Sequence, residues 1–578
     1  GMDKKEIVGL LNEICVLLEL KGENFFKIRA YQIAAKALEV TDIVIDSSTS
    51  AEELQKISGI GEGIAGQIST LIKTGDLKLY SELKAAIPPG LLDILKVPKL
   101  GSKKVRYLYD NLGISTIDEL KYACLENRLV DLANFGPKTQ ENILKGIEFV
   151  SKCKDRFLYA SVIDEALQLE NLVKNLDCVI RCSLAGSLRR KKEIIKDIDI
   201  VASTENPAML MDFFTGIKQA SEVIAKGETK STIRLKSGVS VDIRAIKDFQ
   251  YPYAQHHFTG SKEHNTAMRS LAKKRNMKMN EYGLFNGDEP VICKNEREIF
   301  EVFGMDYIEP EIRENTGEIQ AALNKTLPRL LKEEDIRGLF HFHTILSYGN
   351  MNLESAVKEL KRLGFKYCGI ADHSKTAFYA GGIKDDDMQS YLEEIDRVNS
   401  LNPCFKVFKG IESDILSDGS LDYSDEILSG FDFVIIAIHS QFNMTEKQMT
   451  SRIIKGMQNR FATILAHPTG RLLLSRDPYA VNITEIIDAA SEYNVDLEIN
   501  SSPFRLDLDW RHCRYARDKG VKMFIDPDAH SIEGFEEFRF GVNIARKGWL
   551  EKKDIANTLE TDKMTDYLKQ KRIIKTPK

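Results

Sequence analysis

The spacing of apolar positions changes regime three times along the chain. Residues 3–40 repeat at three and four, which predicts two amphipathic helices, the second reading FFKIRAYQIAAKALEV. A glycine turn then precedes each of three further helical periods, in LQKISGIGEGIAGQISTLI, ILKVPKLGSKKVRYLY and LANFGPKTQENIL, so a hairpin-like unit recurs within the first 150 residues. Residues 155–180 supply helices and a first strand. Ile194 to Ala202 is β-branched and apolar apart from Lys196, Asp197 and Asp199; it and SVDIRAI (240–246) are read as strands. Arg313 to Leu331 turns polar and then helical in period, as a linker does. Beyond residue 337, short apolar runs alternate with helical segments such as NLESAVKELKRLG, the order of a parallel β/α barrel.

A chain of 578 residues is too long for one core, so several domains are expected. With 43% hydrophobic and 29% charged residues it is globular by composition. The net charge of −5 does not itself point to a polyanion. Between Lys226 and Lys278, however, there are 12 Lys/Arg against 4 Asp/Glu, and a strip of that sign suits nucleic acid. The nine cysteines form no C-x-x-C pair, which argues against thiolate zinc. No apolar run approaches the roughly 18 residues of a membrane helix. A cytoplasmic location without a membrane partner is expected.

Asp197 and Asp199 lie two apart on a strand and project to one face, where buried anions repel unless cations lie among them. Alone, such a pair is usually a solvated sheet edge. Its surroundings change the weighing. Gly186 and Ser187 form a turn that lets a phosphate approach, and Arg189, Arg190, Lys191 and Lys192 follow it. Asp242 adds a third carboxylate from another strand. Three such groups can hold two Mg²⁺ (or Mn²⁺), an arrangement suited to phosphoryl transfer.

The succession G-S-x-R-R, D-I-D, V-D-I-R and HFTGSKEHNTAMR resembles the palm and thumb of the family X DNA polymerases. The resemblance implies that Asp197, Asp199 and Asp242 are catalytic metal ligands and that Gly186, Ser187 and Arg190 bind an incoming dNTP. It also implies that His257, Phe258 and Gly260 line the sugar pocket, with Asn265 and Arg269 at the nascent pair and template. The animal repair enzymes carry Tyr-Phe at His257-Phe258, so sugar selection is a point of departure. The glycine turns resemble helix-hairpin-helix elements, in which backbone N–H groups at a helix start bind DNA phosphate. Their candidate contacts are Gly59, Gly61, Gly101, Lys103, Gly136 and Lys138. Lys99 and Asn134 stand where the motif usually has its first glycine.

Seven of the ten histidines fall after residue 337, and six of these end strand-like runs: His341 and His343 after DIRGLF, His373 in YCGIADHS, His439 in FDFVIIAIHS, His467 in FATILAHPTG, and His530 in VKMFIDPDAHS. One such histidine is usually structural. Six, together with Glu412 and Asp528, make the imidazole and carboxylate shell that zinc, manganese or iron take. Their order resembles the polymerase and histidinol phosphatase (PHP) domain, which implies a distorted seven-stranded barrel with two or three Mn²⁺, Zn²⁺ or Fe²⁺. Two departures stand out. Leu339-Phe340 replaces the family's Asp-Leu before His341, and Tyr348 occupies the position of its second aspartate. A metal pair at His341, His343, Glu412, His439, His467 and Asp528 is therefore expected to persist, with a third ion at His373 and His530 weakened. Arg471 and Arg505 are candidate phosphate grips.

The expected architecture is multidomain, α+β and α/β. It comprises an N-terminal helical DNA-binding domain (1–85), helix-hairpin-helix fingers (86–152), a nucleotidyltransferase palm (153–250), a thumb (251–315), a linker (316–334) and a PHP barrel (335–578). The resemblance implies a monomeric gap-filling polymerase, acting on gapped or nicked DNA with dNTPs, fused to a metal-dependent 3′-5′ exonuclease. The PHP half could instead be a small-molecule phosphatase or an inactive scaffold. The lyase reaction found in this family needs a lysine amine to form an imine. Aligned on GIGEGIAGQI, Gln67 stands at that position and Gly63 at a nearby basic one. Borohydride added to the protein with a 5′-deoxyribose phosphate end should therefore trap no adduct; trapping at the family's usual rate would overturn the expectation.

Overall fold

The computed structural model describes residues 2–575 except 126, 131, 348 and 378–380, and leaves aside the side chains of 122, 152 and 574. Tyr348 lies outside the described residues. The chain divides into two compact units, Gly1–Lys154 and Asp155–Lys578.

The first unit is helical. The two helices predicted over 3–40 run Lys4–Lys21 and Phe25–Val40, and the first opens with a capping box between Asp3 and Glu6. Its stripe of Ile7, Leu11, Ile14 and Leu18 is buried, as the apolar spacing requires. The hairpin helices Glu62–Thr74, Ser102–Leu112 and Pro137–Cys153 start at Gly61, Gly101 and Gly136, and none of these starts has a side-chain cap. Their first-turn N–H groups are therefore left to an outside acceptor. Two residues earlier, Gly59, Lys99 and Asn134 all take positive φ, at 100°, 67° and 65°. The three turns thus share one backbone course despite their different residues. Asparagine visits the left-handed region readily, whereas lysine does so at a cost of about 1 kcal/mol.

In the second unit the palm is a five-stranded sheet. Its strands are β1 (Val179–Ala185), β2 (Asp197–Thr204), β3 (Ala220–Lys226), β4 (Lys230–Leu235) and β5 (Ser240–Ile246), in the order β1-β2-β5-β4-β3. The strand expected from Ile194 breaks at Lys196. Ile194–Ile195 pairs with Phe157–Leu158, and β2 begins at Asp197. Ile198 and Ile200 face the core while Asp197 and Asp199 take the other side. The thumb follows as helices Tyr251–Thr259 and Lys262–Lys274 and a three-stranded sheet.

The barrel consists of seven parallel strands in chain order: β6 (Gly338–Leu339), β7 (Tyr367–His373), β8 (Lys406–Asp414), β9 (Phe433–Ala437), β10 (Ile464–Leu465), β11 (Asp496–Asn500) and β12 (Met523–Asp526). A bridge between Phe342 and Ala529 joins the first strand to the last. Phe340, Tyr367, Phe408, Phe433 and Phe524 fill the interior. The departure at Phe340 is thereby explained: its ring lies 4.8 Å from Phe433 and 5.1 Å from Phe524 and plugs the barrel beneath His341. Gly369 makes room for it, since a Cβ there would come within 2.2 Å of the ring. The expected linker is packed rather than free. It includes the helix Glu318–Leu323, and the Leu331 N–H donates to the Leu550 carbonyl at 3.0 Å. Among the described residues no helix is long and apolar enough to cross a membrane.

Candidate functional site

In the palm, β2 runs parallel to β5 in a register that sets Asp199 beside Asp242. Burial first, and then Asp197, push the Asp199 carboxyl up to about 6, with Arg244 pulling the other way. Burial and Asp242 likewise raise Asp197. Arg244 Nη1 stands 3.6 Å from Asp199 Oδ1, and its guanidinium lies 4.0 Å over the Phe258 ring. Carboxylates held up by burial and by each other form a set that a dication relieves, so the residues fit the implied metal. Gly186 opens the turn after β1 with φ 64°, and a Cβ there would fall 2.2 Å from Asp199 Oδ2. Only glycine lets this turn close over the carboxylate.

Beside the turn is a cleft of about 560 Å³ that collects Asp197, Asp199 and all eight nucleotide candidates: Gly186, Ser187, Arg190, His257, Phe258, Gly260, Asn265 and Arg269. Lys192, Lys196 and Lys262 share its wall; Lys262 lies in the HFTGSKEHNTAMR motif without having been singled out. Asn265 Nδ2 donates to the His257 carbonyl at 2.7 Å, which ties the thumb helix to the preceding one. Arg190 is not a loose side chain. Its Nε donates to Glu314 at 2.8 Å and its Nη1 to the Thr259 carbonyl at 2.6 Å. Arg189 is paired with Glu296 through both terminal nitrogens.

In the barrel, the eight ligand candidates all lie at the carboxyl ends of strands. His341, His467 and Asp528 take positive φ, at 59°, 27° and 52°, backbone conformations that only a constrained site retains. His343 Nε2 is 2.9 Å from Asp528 Oδ1, and His439 Nε2 is 2.7 Å from Glu412 Oε1. His341 touches Glu412 through Nε2 and Glu498 through Nδ1. Burial opposes a charge on His341, but Asp528, Glu498 and Glu412 hold it well above its ordinary value. Burial, with His373 and His530 nearby, keeps His343 well below it. Among the described residues His343 Nδ1 and His467 Nδ1 are buried without hydrogen-bond partners, while His341 Nε2 and His373 Nδ1 crowd on Glu412. Buried nitrogens left unpaired or converging on one carboxylate at the carboxyl end of the barrel fit a metal site.

Among the described residues the potential ligand atoms form three overlapping clusters. Ligand atoms gather as His341, His343, Glu412 and Asp528; as His373, Glu412 and His439; and as His343, His373 and His530. His373 thus stands with His530 and, in register with Glu412 on β8, also with Glu412 and His439. His467 stands nearby, its ring 5.4 Å from that of His439. The guanidinium of Arg471, a phosphate-grip candidate, donates to the carbonyls of Arg505 and Leu506 and to Asp509. Arg505 fits that part better, since its Nη1 is buried without a partner.

Glu498 and Asp414 stand behind the candidate ligands. Glu498 accepts from His341 Nδ1 and from the His467 N–H at 3.1 Å, and Asp414 lies 2.5 Å from His439 Nδ1. Each fixes which ring nitrogen points inward. Their only signal was a carboxylate inside an apolar run, in VDLEINS and GIESDIL.

The described DNA polymerase beta thumb model matches residues 254–314, a helix-hairpin-helix model residues 2–77, a tandem helix-hairpin-helix model residues 91–148, and the PHP domain model residues 340–502. Over 98% of its length the chain is 36% identical to all of a Bacillus subtilis protein named DNA polymerase/3'-5' exonuclease PolX. Forty per cent of it is 26% identical to 91% of a protein named probable phosphatase from Caldanaerobacter subterraneus.

Two outcomes follow from the site's electrostatics. Asp199 is raised in the folded state, so its ionised form costs stability above about pH 6 and nothing below the unfolded value near 4. With chelator present, Asp199→Asn should stabilise the second unit by on the order of 2 kcal/mol at pH 8 and about half that at pH 5; thermal melts that coincide at both pH values would refute the assignment. Glu498→Gln should lower metal affinity in the barrel by about 10–100-fold, read as metal retained per chain after dialysis.

Proposed function

Because the chain belongs to the family X DNA polymerases that carry a carboxyl-terminal PHP domain, we propose that it fills short gaps in DNA from a template and trims 3′ ends with its barrel half. The observation that carries the polymerase reading is the cleft shared by Asp197, Asp199 and the phosphate-binding candidates, with Asp242 in register beside Asp199. Asp197, Asp199 and Asp242 would hold two Mg²⁺ (or Mn²⁺), which supply charge to the phosphate oxygens and to the primer 3′ oxygen. Gly186, Ser187 and Arg190 orient the triphosphate so that pyrophosphate leaves in line with the attacking 3′ hydroxyl. His257, Phe258 and Gly260 pack the sugar, while Asn265 and Arg269 face the base pair and template.

Gly59, Gly61, Gly101, Lys103, Gly136 and Lys138 grip DNA phosphates at uncapped helix starts. Gly63 occupies the helix position of Lys103 and Lys138, so the first hairpin binds without that charge. In the barrel, His341, His343, His373, Glu412, His439, His467, Asp528 and His530 would hold two or three Mn²⁺, Zn²⁺ or Fe²⁺, which supply Lewis acidity towards a phosphodiester. Arg505 receives the phosphate, and Glu498 and Asp414 keep the imidazoles aimed. This reading makes the protein a cytoplasmic monomer acting on gapped or nicked DNA with dNTPs.

The relatives named as phosphatases favour one competing reading, hydrolysis of a free phosphomonoester by the barrel. Gapped DNA incubated with dNTPs and Mn²⁺ separates the possibilities when longer and shorter products are both resolved. His341→Ala with His343→Ala should remove shortening by at least about a hundredfold and leave lengthening intact. Shortening that survives this change rules out the barrel as its source, and a barrel that cleaves only a phosphomonoester establishes the competing reading.

A further inference from the structure

Barrel-half side chains hold the turn that carries Arg190 at both ends. Lys547 ends the helix Phe538–Lys547 and is 1% exposed. Its Nζ donates to the Arg190 carbonyl at 2.9 Å, to the Glu311 carbonyl at 3.1 Å and to Glu314 Oε1 at 3.1 Å. Three donors thus meet three acceptors, the condition under which a buried ammonium is tolerated. The same Glu314 oxygen accepts from Arg190 Nε. Three residues along, Glu193 accepts from Trp510 Nε1 at 3.2 Å and from Arg511 Nη1 at 3.1 Å.

The neighbouring arginine is held differently, by a carboxylate that also pairs with Arg313. Glu296 takes both terminal nitrogens of Arg189, the fork arrangement that carboxylates favour. Glu314, shared with Lys547, engages only Nε of Arg190, and the guanidinium stays in the cleft wall. We propose that Lys547 is a positioning residue of the polymerase site: from the PHP half it holds Arg190, through Glu314 and the Arg190 carbonyl, in the orientation that receives the triphosphate. Without it, Glu314 and the Arg190 carbonyl lose the ammonium that fixes them, and the guanidinium is no longer held in the phosphate path. The inference rests on the assignment of Arg190 to the triphosphate.

Single-nucleotide gap filling by the full-length chain tests it. Lys547→Met should raise the dNTP KM about tenfold with kcat within about twofold, the signature of lost binding that is common to ground and transition states. The inhibition constant of inorganic pyrophosphate should rise in parallel, and affinity for gapped DNA should stay unchanged. Glu314→Gln should act in the same direction, and the double variant should be no worse than the stronger single one, because the two act through one contact. An unchanged KM in either folded variant overturns the proposal, as does weakening of dNTP and DNA binding together, which marks a brace between domains. Should Lys547→Met fail to fold, Glu314→Gln decides alone. Arg190→Gln separates the two levels: no change in KM or pyrophosphate inhibition removes the assignment of Arg190, whereas a change there with none in Lys547→Met removes only the role of Lys547.

Discussion

Carboxylates withdrawn from water at the ends of β-strands are the constraint around which the second unit is built. An unpaired buried anion is among the most costly groups a fold can contain, so each needs a counter-charge close by. In the palm that part falls to Arg244, 3.6 Å from Asp199. In the barrel it falls to His341, set among Glu412, Glu498 and Asp528. Strand register, the glycine at 186 and the aromatic plug under His341 all serve to keep these groups together.

The two sites meet the constraint differently. The palm carboxylates are half-buried on an open cleft, and burial and mutual repulsion push Asp199 up to about 6. The barrel set is largely enclosed, with His530 exposed, and its histidines hold Glu412 and Asp528 well below the usual carboxylate range against the effect of burial. A second layer, Glu498 and Asp414, then fixes the rings. Half-buried, mutually repelling anions on an open cleft suit cations that arrive and leave with a substrate. An enclosed set with its own orienting carboxylates suits cations that stay.

The halves of the second unit are also mechanically joined. The 190–193 turn is held by Lys547, Trp510 and Arg511, and the segment after the thumb packs against Leu550 and Glu551. The cleft beside Asp197 and Asp199 therefore rests on a base supplied by the barrel half.

Much of this was legible in the residues. Asp197 and Asp199 are two apart on a strand, Gly186 precedes them in a turn, and histidines end apolar runs; all of these follow from local geometry, which needs no knowledge of neighbours. The shared hairpin backbone was half hidden, because Lys99 and Asn134 adopt a φ that their identity does not announce. What only the tertiary structure decided was which side chains meet. His373 joins Glu412 because β7 and β8 are in register, Arg471 is consumed by its own loop, and Lys547 reaches Arg190 across 357 residues of chain. A charged residue in an apolar run reads the same whether it ends up as a ligand, an orienting partner or a brace. The difference lies in distances of about 3 Å between segments far apart in sequence, and those are set by how the strands and helices pack.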